Sequence, residues 1–290
     1  MYADNNFYGH RTILAKYCNI SDKRCFASIQ HGMLTRPQEE NLGKRKFSLA
    51  PFLCWNERVL NSCIKKKIKN VHAIGAPFLY LEKIQNEFFT QKKKEIGTVV
   101  FPTKSTWSLK RYVNYNQIIK ETENLFEGPY TVCIYFEDLN NNLEIFKKMN
   151  WNIATCGSRD NKSFLFNLWD LFHAHKNIIH TSINTSFFYS LYLKKKTKLL
   201  INSSKSNERI NLSMDINQNK LIDYLKINHS YLFLDNFVNE KYLFAAYELG
   251  LKQLKSREEL KNLLGWNTSY KVFFANILNY YLRYRFVKKH

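Results

Sequence analysis

One stretch constrains this chain more than any other. Residues 177–193 read NIIHTSINTSFFYSLYL. The stretch opens with Ile178 and Ile179, as a buried strand does, and then turns small and polar through Thr181, Ser182, Asn184, Thr185 and Ser186. It resumes as an apolar and aromatic helix over 187–193, and after Lys194, Lys195 and Lys196 a second apolar strand is expected over 198–201. Strand, polar turn, helix and strand make a parallel β-α-β unit, which commits the chain to an α/β fold. Thr185 and Ser186 stand where the helix starts. Their hydroxyls either cap it, or join the unpaired N–H groups of the first turn in holding an anion such as a phosphate.

The rest of the chain repeats this alternation. Strands are expected over 25–30, 49–55 and 71–74, with helices over 11–18, 56–67 and 78–89. A charged break at 91–95 marks a domain boundary. Beyond it, strands over 98–101, 130–136 and 151–155 alternate with helices over 115–126, 143–149 and 164–173, and the stretch at 177–201 completes the series. Helices over 210–226, 242–249, 256–264 and 270–287 close the chain. The expectation is therefore two facing parallel-sheet α/β domains of Rossmann type. The first is short and spans 1–93, the second spans 94–235, and a helical segment over 236–290 packs across both. In such sheets ligands bind beyond the carboxyl ends of the strands. There the sequence places His31-Gly32, Gly75-Ala76-Pro77, residues 103–106, Glu137-Asp138, Gly157-Ser158 and residues 182–186.

Composition narrows the function classes. With 45% hydrophobic residues a core can form, so wholesale disorder is excluded. The net charge of +20 speaks for anionic partners: nucleic acid, anionic lipid or a phosphorylated substrate. Lysines are scattered in short runs, and no nucleic-acid motif is present, so nucleic acid is not an expected partner. Six cysteines without a CxxC pair read as free buried thiols. His173, His175 and His180 lack the spacing and partners of a zinc site, and no metal is expected. No apolar run is long enough to span a bilayer, and the first residues lack the pattern of a signal peptide. The expected location is cytoplasmic, with a peripheral place on the inner face of the membrane if residues 270–290 lie on an anionic lipid surface. That segment spaces apolar residues three or four apart with basic ones between. A helix completing a core has the same pattern.

The order of these motifs resembles a known family. His31-Gly32 after a strand, Gly75-Ala76-Pro77 after another, Pro102-Thr103 opening a new domain, and Ser182 to Ser186 before a helix are similar to the GT-B glycosyltransferases of bacterial surface-polysaccharide synthesis. Among these, the wall-polymer glycerophosphotransferases and the sialyl- and Kdo-type transferases of capsule and lipopolysaccharide assembly look most alike. The resemblance covers residues 25–202. It departs at Phe136-Glu137-Asp138, where the family often has His-Pro, and at Asn184-Thr185-Ser186, where Tyr-Ser-Ser is usual. It implies a metal-independent transferase without a cofactor. Its partners would be a nucleotide-activated sugar (CMP- or another NDP-sugar) as donor and a glycan or lipid-linked acceptor.

The chemistry fits those residue types. Transfer needs a base for the acceptor hydroxyl, which a histidine supplies near neutral pH. His31 is the first candidate, with Glu57 the alternative and Glu39 and Glu40 behind it. The leaving phosphate needs hydroxyls, a helix N-terminus and a cation. The donor candidates are Thr103, Lys104, Ser105, Thr106, Gly157, Ser158, Ser182, Asn184, Thr185 and Ser186, with Glu137 toward the base or ribose. Two other readings compete: a sugar-nucleotide epimerase of the same architecture, and a non-catalytic module binding a polyanion or a membrane surface.

Overall fold

The computed structural model describes residues 6–34, 50–88, 94–103, 111–200, 204–206 and 212–267. The first sheet holds three parallel strands, β1 (Ser28–Ile29), β2 (Phe52–Cys54) and β3 (Val71–Ala73), in the order β1-β2-β3. They are shorter than the sequence pattern suggests. Register pairs only Ser28 with Phe52 and Ile29 with Leu53 along β1, so the flanking apolar residues are core without being ladder. Helix α1 (His10–Tyr17) precedes the sheet, α2 (Glu57–Lys65) joins β2 to β3, and α3 (Pro77–Phe88) follows β3. Asn56 caps α2, its side chain accepting from the Val59 N–H at 2.9 Å. Val59 and Cys63, four apart, turn inward from that helix.

The second sheet holds five parallel strands: β4 (Thr98–Phe101), β6 (Tyr130–Cys133), β7 (Asn152–Ala154), β8 (Asn177–His180) and β9 (Lys196–Leu199). A separate two-stranded antiparallel ribbon pairs β5 (Arg111–Val113) with β10 (Ser204–Ser206). No alternation in sequence announces that ribbon. Helices α4 (Tyr115–Leu125), α5 (Leu139–Lys148), α6 (Phe164–Ala174) and α7 (Thr185–Tyr192) connect the parallel strands. The spatial order is β7-β6-β4-β8-β9. The chain starts in the middle, runs out to β7, and returns beside β4 to lay down β8. That reversal opens a crevice at the carboxyl ends of β4 and β8, the place where doubly wound sheets take ligands. Both strands are buried along their whole length, as a parallel sheet covered on two faces requires. The α/β class with two parallel sheets is thus the one read from the sequence.

Three helices end the described chain: α8 (Leu212–Asn228), α9 (Val238–Leu249) and α10 (Arg257–Leu263). Helix α9 lies against α7, and its carboxyl end docks on the first sheet. The Ala76 N–H donates to the Leu249 carbonyl at 2.8 Å. Asn56 donates to the Glu248 carbonyl at 2.6 Å, and Arg58 grips the Glu248 carboxylate through two nitrogens, at 2.7 and 3.2 Å. Helix α10 opens on a capping box between Ser256 and Glu259.

Each sheet keeps a buried cluster of its own, and a third cluster is shared between them. The shared cluster runs from Ile29, Leu53 and Ile74 to Val99, Phe101 and Ile178. At its middle Phe78 of α3 stacks on Tyr189 of α7, ring centroids 4.1 Å apart and planes 13° from parallel. All six cysteines are buried free thiols. Among the described residues no helix is long and apolar enough to cross a membrane.

Gly250 ends α9 at φ +75°, and a Cβ there would sit 1.9 Å from the Trp55 carbonyl oxygen. Gly250→Ala combines left-handed backbone strain, about 1–2 kcal/mol, with displacement of the α9 end from β2. Urea denaturation should show a loss of at least that size; an unchanged midpoint would mean that the docking tolerates a shift.

Candidate functional site

At the switch point the loops after β4 and β8 are locked together. The Thr103 N–H donates to the Thr181 hydroxyl oxygen at 2.7 Å, and the two hydroxyls lie 2.8 Å apart. Both threonines are buried. Four residues beyond Thr181 the chain enters α7. Its cap is Asn184, whose side-chain oxygen accepts from the Phe187 N–H at 3.2 Å and from the Ser186 hydroxyl at 2.6 Å. Capping therefore falls to Asn184, and Thr185 and Ser186 occupy the first turn. The Asn184 amide donates to the Ser182 oxygen at 3.4 Å, so the Ser182 hydroxyl keeps its own proton to donate.

The Thr185 side chain reaches to the other sheet. Its oxygen accepts the Met33 N–H at 3.0 Å, and its proton likewise remains to be donated. Gly32 passes so close that a Cβ there would lie 3.2 Å from the same oxygen. The loop after β1 is fixed on its other side by Arg58, which donates to the Leu34 carbonyl at 2.9 Å. Within the loop the Gln30 amide donates to the Gly32 carbonyl at 2.8 Å and accepts the Trp55 N–H at 3.0 Å. His31 stands exposed on this loop. The carboxyl ends of β1 and β8 thus meet through the first turn of α7.

A segment that the sequence reading passed over fills the remaining side. The 3-10 turn Phe7–Gly9 lies against α6. Phe7 meets His31 edge to face at 5.9 Å, and the Arg159 guanidinium lies 4.8 Å from the Phe7 ring. Arg159 belongs to the loop after β7 and is half exposed, with a long 3.9 Å contact to the Asp160 carboxylate. Tyr8 holds a left-handed backbone at φ 59°, rare for an aromatic residue and a mark of functional or structural demand. Its N–H donates to the Arg159 carbonyl at 2.5 Å. Gly9 follows at φ +76°, where a Cβ would collide with the Lys162 backbone. Arg159 carries no motif, and Phe7 and Tyr8 no periodicity, so only their placement reveals them.

Two buried histidines underlie the site. His180 ends β8, stacked on Phe101 at 5.1 Å. The Ser190 hydroxyl donates to the Phe187 carbonyl at 2.7 Å, so its oxygen accepts from His180 Nε2 at 3.2 Å. Burial lowers the His180 pKa to about 3. His10 opens α1 with its ring 5.9 Å from that of Trp55. Burial, and then the nearby His31, lower the His10 pKa to about 3 as well. Both rings are neutral at pH 7 and serve as packed scaffolding.

The sequence candidates now have places. His31, Ser182, Asn184, Thr185 and Ser186 are brought together. Thr103 lies beneath them, bonded to Thr181. Gly157 and Ser158 sit on the β7 loop that carries Arg159, and Gly157 takes φ +86° against Asn161. Glu137 is exposed on the 3-10 turn Phe136–Asp138; the strand expected over 130–136 stops at Cys133. Glu57 is exposed in the first turn of α2, where the helix dipole favours it, while its neighbours Asn56 and Arg58 are engaged by Glu248. Lys104, Ser105, Thr106, Glu39, Glu40 and residues 270–290 lie outside the described residues. Among the described residues no group of three or more His, Cys, Asp or Glu side chains is arranged to hold a metal.

No family model and no curated protein matches the chain. Among solved structures it is similar to the UDP-GlcNAc 2-epimerase from Neisseria meningitidis bound to UDP-GlcNAc, at 10% identity and a TM-score of 0.32, over 79% of this chain and 61% of that one. The chain therefore spans less than two thirds of that structure. A likeness this slight carries no argument about activity.

The histidines have a measurable consequence. Unfolded, each binds a proton below about pH 6.5; folded, neither does until about pH 3. The unfolded state therefore takes up more protons as pH falls, and stability should decline from about pH 6.5 downward, by up to about 1.4 kcal/mol per pH unit for each ring. Urea unfolding of His180→Asn between pH 7 and 5 should give a flatter dependence than the parent. An equal slope would mean that His180 is charged in the native state.

Proposed function

We propose that this chain is a transferase that moves a sugar from a nucleotide-activated donor to an acceptor hydroxyl. One observation carries the reading. The crevice between β4 and β8 is closed from the opposite sheet by the loop bearing His31, through the Thr185–Met33 bond. In this reading that bond sets an anion site and a candidate base on facing strand ends. In this reading the donor phosphates lie at the first turn of α7, with the Thr185 and Ser182 hydroxyls donating and Arg159 supplying positive charge. Gly157 and Ser158 flank the nucleoside, and Glu137 reaches its ribose or base. The acceptor enters from the His31 side. Its oxygen bonds to the anomeric carbon while its proton passes to His31, the carbon–phosphate oxygen bond breaks, and the nucleotide leaves as an anion held by those donors. No resident metal or cofactor enters this scheme.

The reading is supported by the topology, which puts the expected polar residues where doubly wound sheets bind ligands, and by the family resemblance of the motif order. A surface-glycan acceptor and a place at the inner membrane face follow from the resemblance alone and belong to the same proposal.

A thermal-unfolding screen against CMP, CDP, UDP and GDP tests the donor site, because a ligand of the native state raises the midpoint. One nucleotide should raise it, and Thr185→Val should abolish the rise. No shift with any of them removes the proposal. With the matching nucleotide sugar, His31→Asn should keep the nucleotide shift and lose transfer by about 10²–10⁴-fold, the weight of general base catalysis. Turnover of the donor without an acceptor would identify an epimerase instead.

A further inference from the structure

Beside the candidate site lies a second cavity, of about 460 Å³, between the β1 loop, α7, α8 and α9. Its wall is apolar: Met33, Leu34, Phe188, Leu221, Leu225 and Phe244. Two charged side chains in the lining, Arg58 and Glu248, form a 2.7 Å ion pair. Lys220 also lines it and is exposed. The size is that of a small-molecule site, and apolar side chains make up half of its lining.

The surface around it is unusually apolar. Tyr247, part of the lining, is 51% exposed, and Leu243, one turn earlier on α9, is 65% exposed. His229 of the lining leads through Tyr231 to Phe237, itself exposed, with Tyr231 and Phe237 rings 6.4 Å apart. A contiguous apolar surface that runs into an apolar cavity marks a place for a hydrocarbon ligand or a membrane. The net charge of +20 and the exposed Lys220 choose among such ligands in favour of one with an anionic head.

We infer that this cavity binds the hydrocarbon chain of an anionic amphiphile, its head at Lys220. Met33 joins the cavity to the candidate site: its side chain lines the one, and its N–H bonds Thr185 in the other. The chain therefore lies beside the loop that bears His31, and the transfer reading above is a separate claim. The cavity itself does not depend on that reading.

The probe is 1-pyrenedecanoic acid, titrated into the full chain by fluorescence anisotropy, with 1-pyrenedecanol as the uncharged control. The acid should bind one to one. Leu34→Trp fills the cavity and should weaken acid and alcohol alike by about tenfold or more, roughly the loss of one well-buried apolar contact. Lys220→Glu, on the surface, should weaken the acid by about fivefold, the scale of an exposed ion pair, and spare the alcohol. If Leu34→Trp does not unfold cooperatively, Tyr247→Asn at the rim replaces it with the same expectation. Absence of binding to the parent chain, or binding indifferent to both cavity variants, overturns the inference. Nucleotide shifts measured on the same samples separate the two claims. A nucleotide shift without chain binding removes only the cavity proposal, and chain binding without any nucleotide shift removes the donor site and keeps the cavity.

Discussion

The two sheets of this protein are held as one body by an aromatic contact. Phe78, at the start of α3, lies flat on Tyr189 of α7 at 4.1 Å, and both are almost wholly buried. Phe172 of α6 closes on Phe78 from the side at 6.3 Å, and the Trp169 indole N–H donates to Glu82 of α3 at 2.5 Å. Aromatic side chains bury more area than any others and prefer such offset or edge-on partners. Because this contact ties the helix after β3 to the helix after β8, it also sets how the carboxyl ends of the two sheets face each other. The site is a consequence of that geometry.

The same constraint explains why most polar groups at the junction are used, with His10 Nδ1 and Trp55 Nε1 buried exceptions among the described residues. The Thr185 hydroxyl accepts from Met33, Asn184 caps α7, Thr181 accepts from Thr103, and Arg58 holds both Leu34 and Glu248. In a partly dry interface an unpaired donor or acceptor would cost more than a made bond returns. Each hydroxyl here nevertheless accepts through oxygen, and those of Ser182 and Thr185 retain a proton to give. Structural and binding roles therefore do not compete at these positions. Arg159, whose guanidinium lies 4.8 Å from the Phe7 ring, belongs to no hydroxyl motif.

The carboxyl-terminal helices add a second layer of dependence. The α9 end occupies the strand ends of β2 and β3 through Leu249, Gly250 and Glu248. That leaves β1 as the strand of the first sheet whose loop meets α7. His31 is therefore placed at the site, whereas Glu57, after β2, is turned outward beside an occupied strand end.

The sequence by itself determined the local order: strand, polar turn and helix at 177–193, the alternation on both sides of the break, and the buried thiols. These follow from periodicity and composition, which act over a few residues and need no distant partner. Element ends were less legible. The strands expected over 25–30 and 130–136 shrink to Ser28–Ile29 and Tyr130–Cys133, because ladder length is set by the partner strand. Tertiary structure alone decided the strand order β7-β6-β4-β8-β9, the ribbon of β5 with β10, and the arrival of Phe7 against both Arg159 and His31. Those contacts join residues 152 positions apart in the case of Arg159 and Phe7. No local pattern encodes such a meeting, since it depends on how two sheets share a buried cluster.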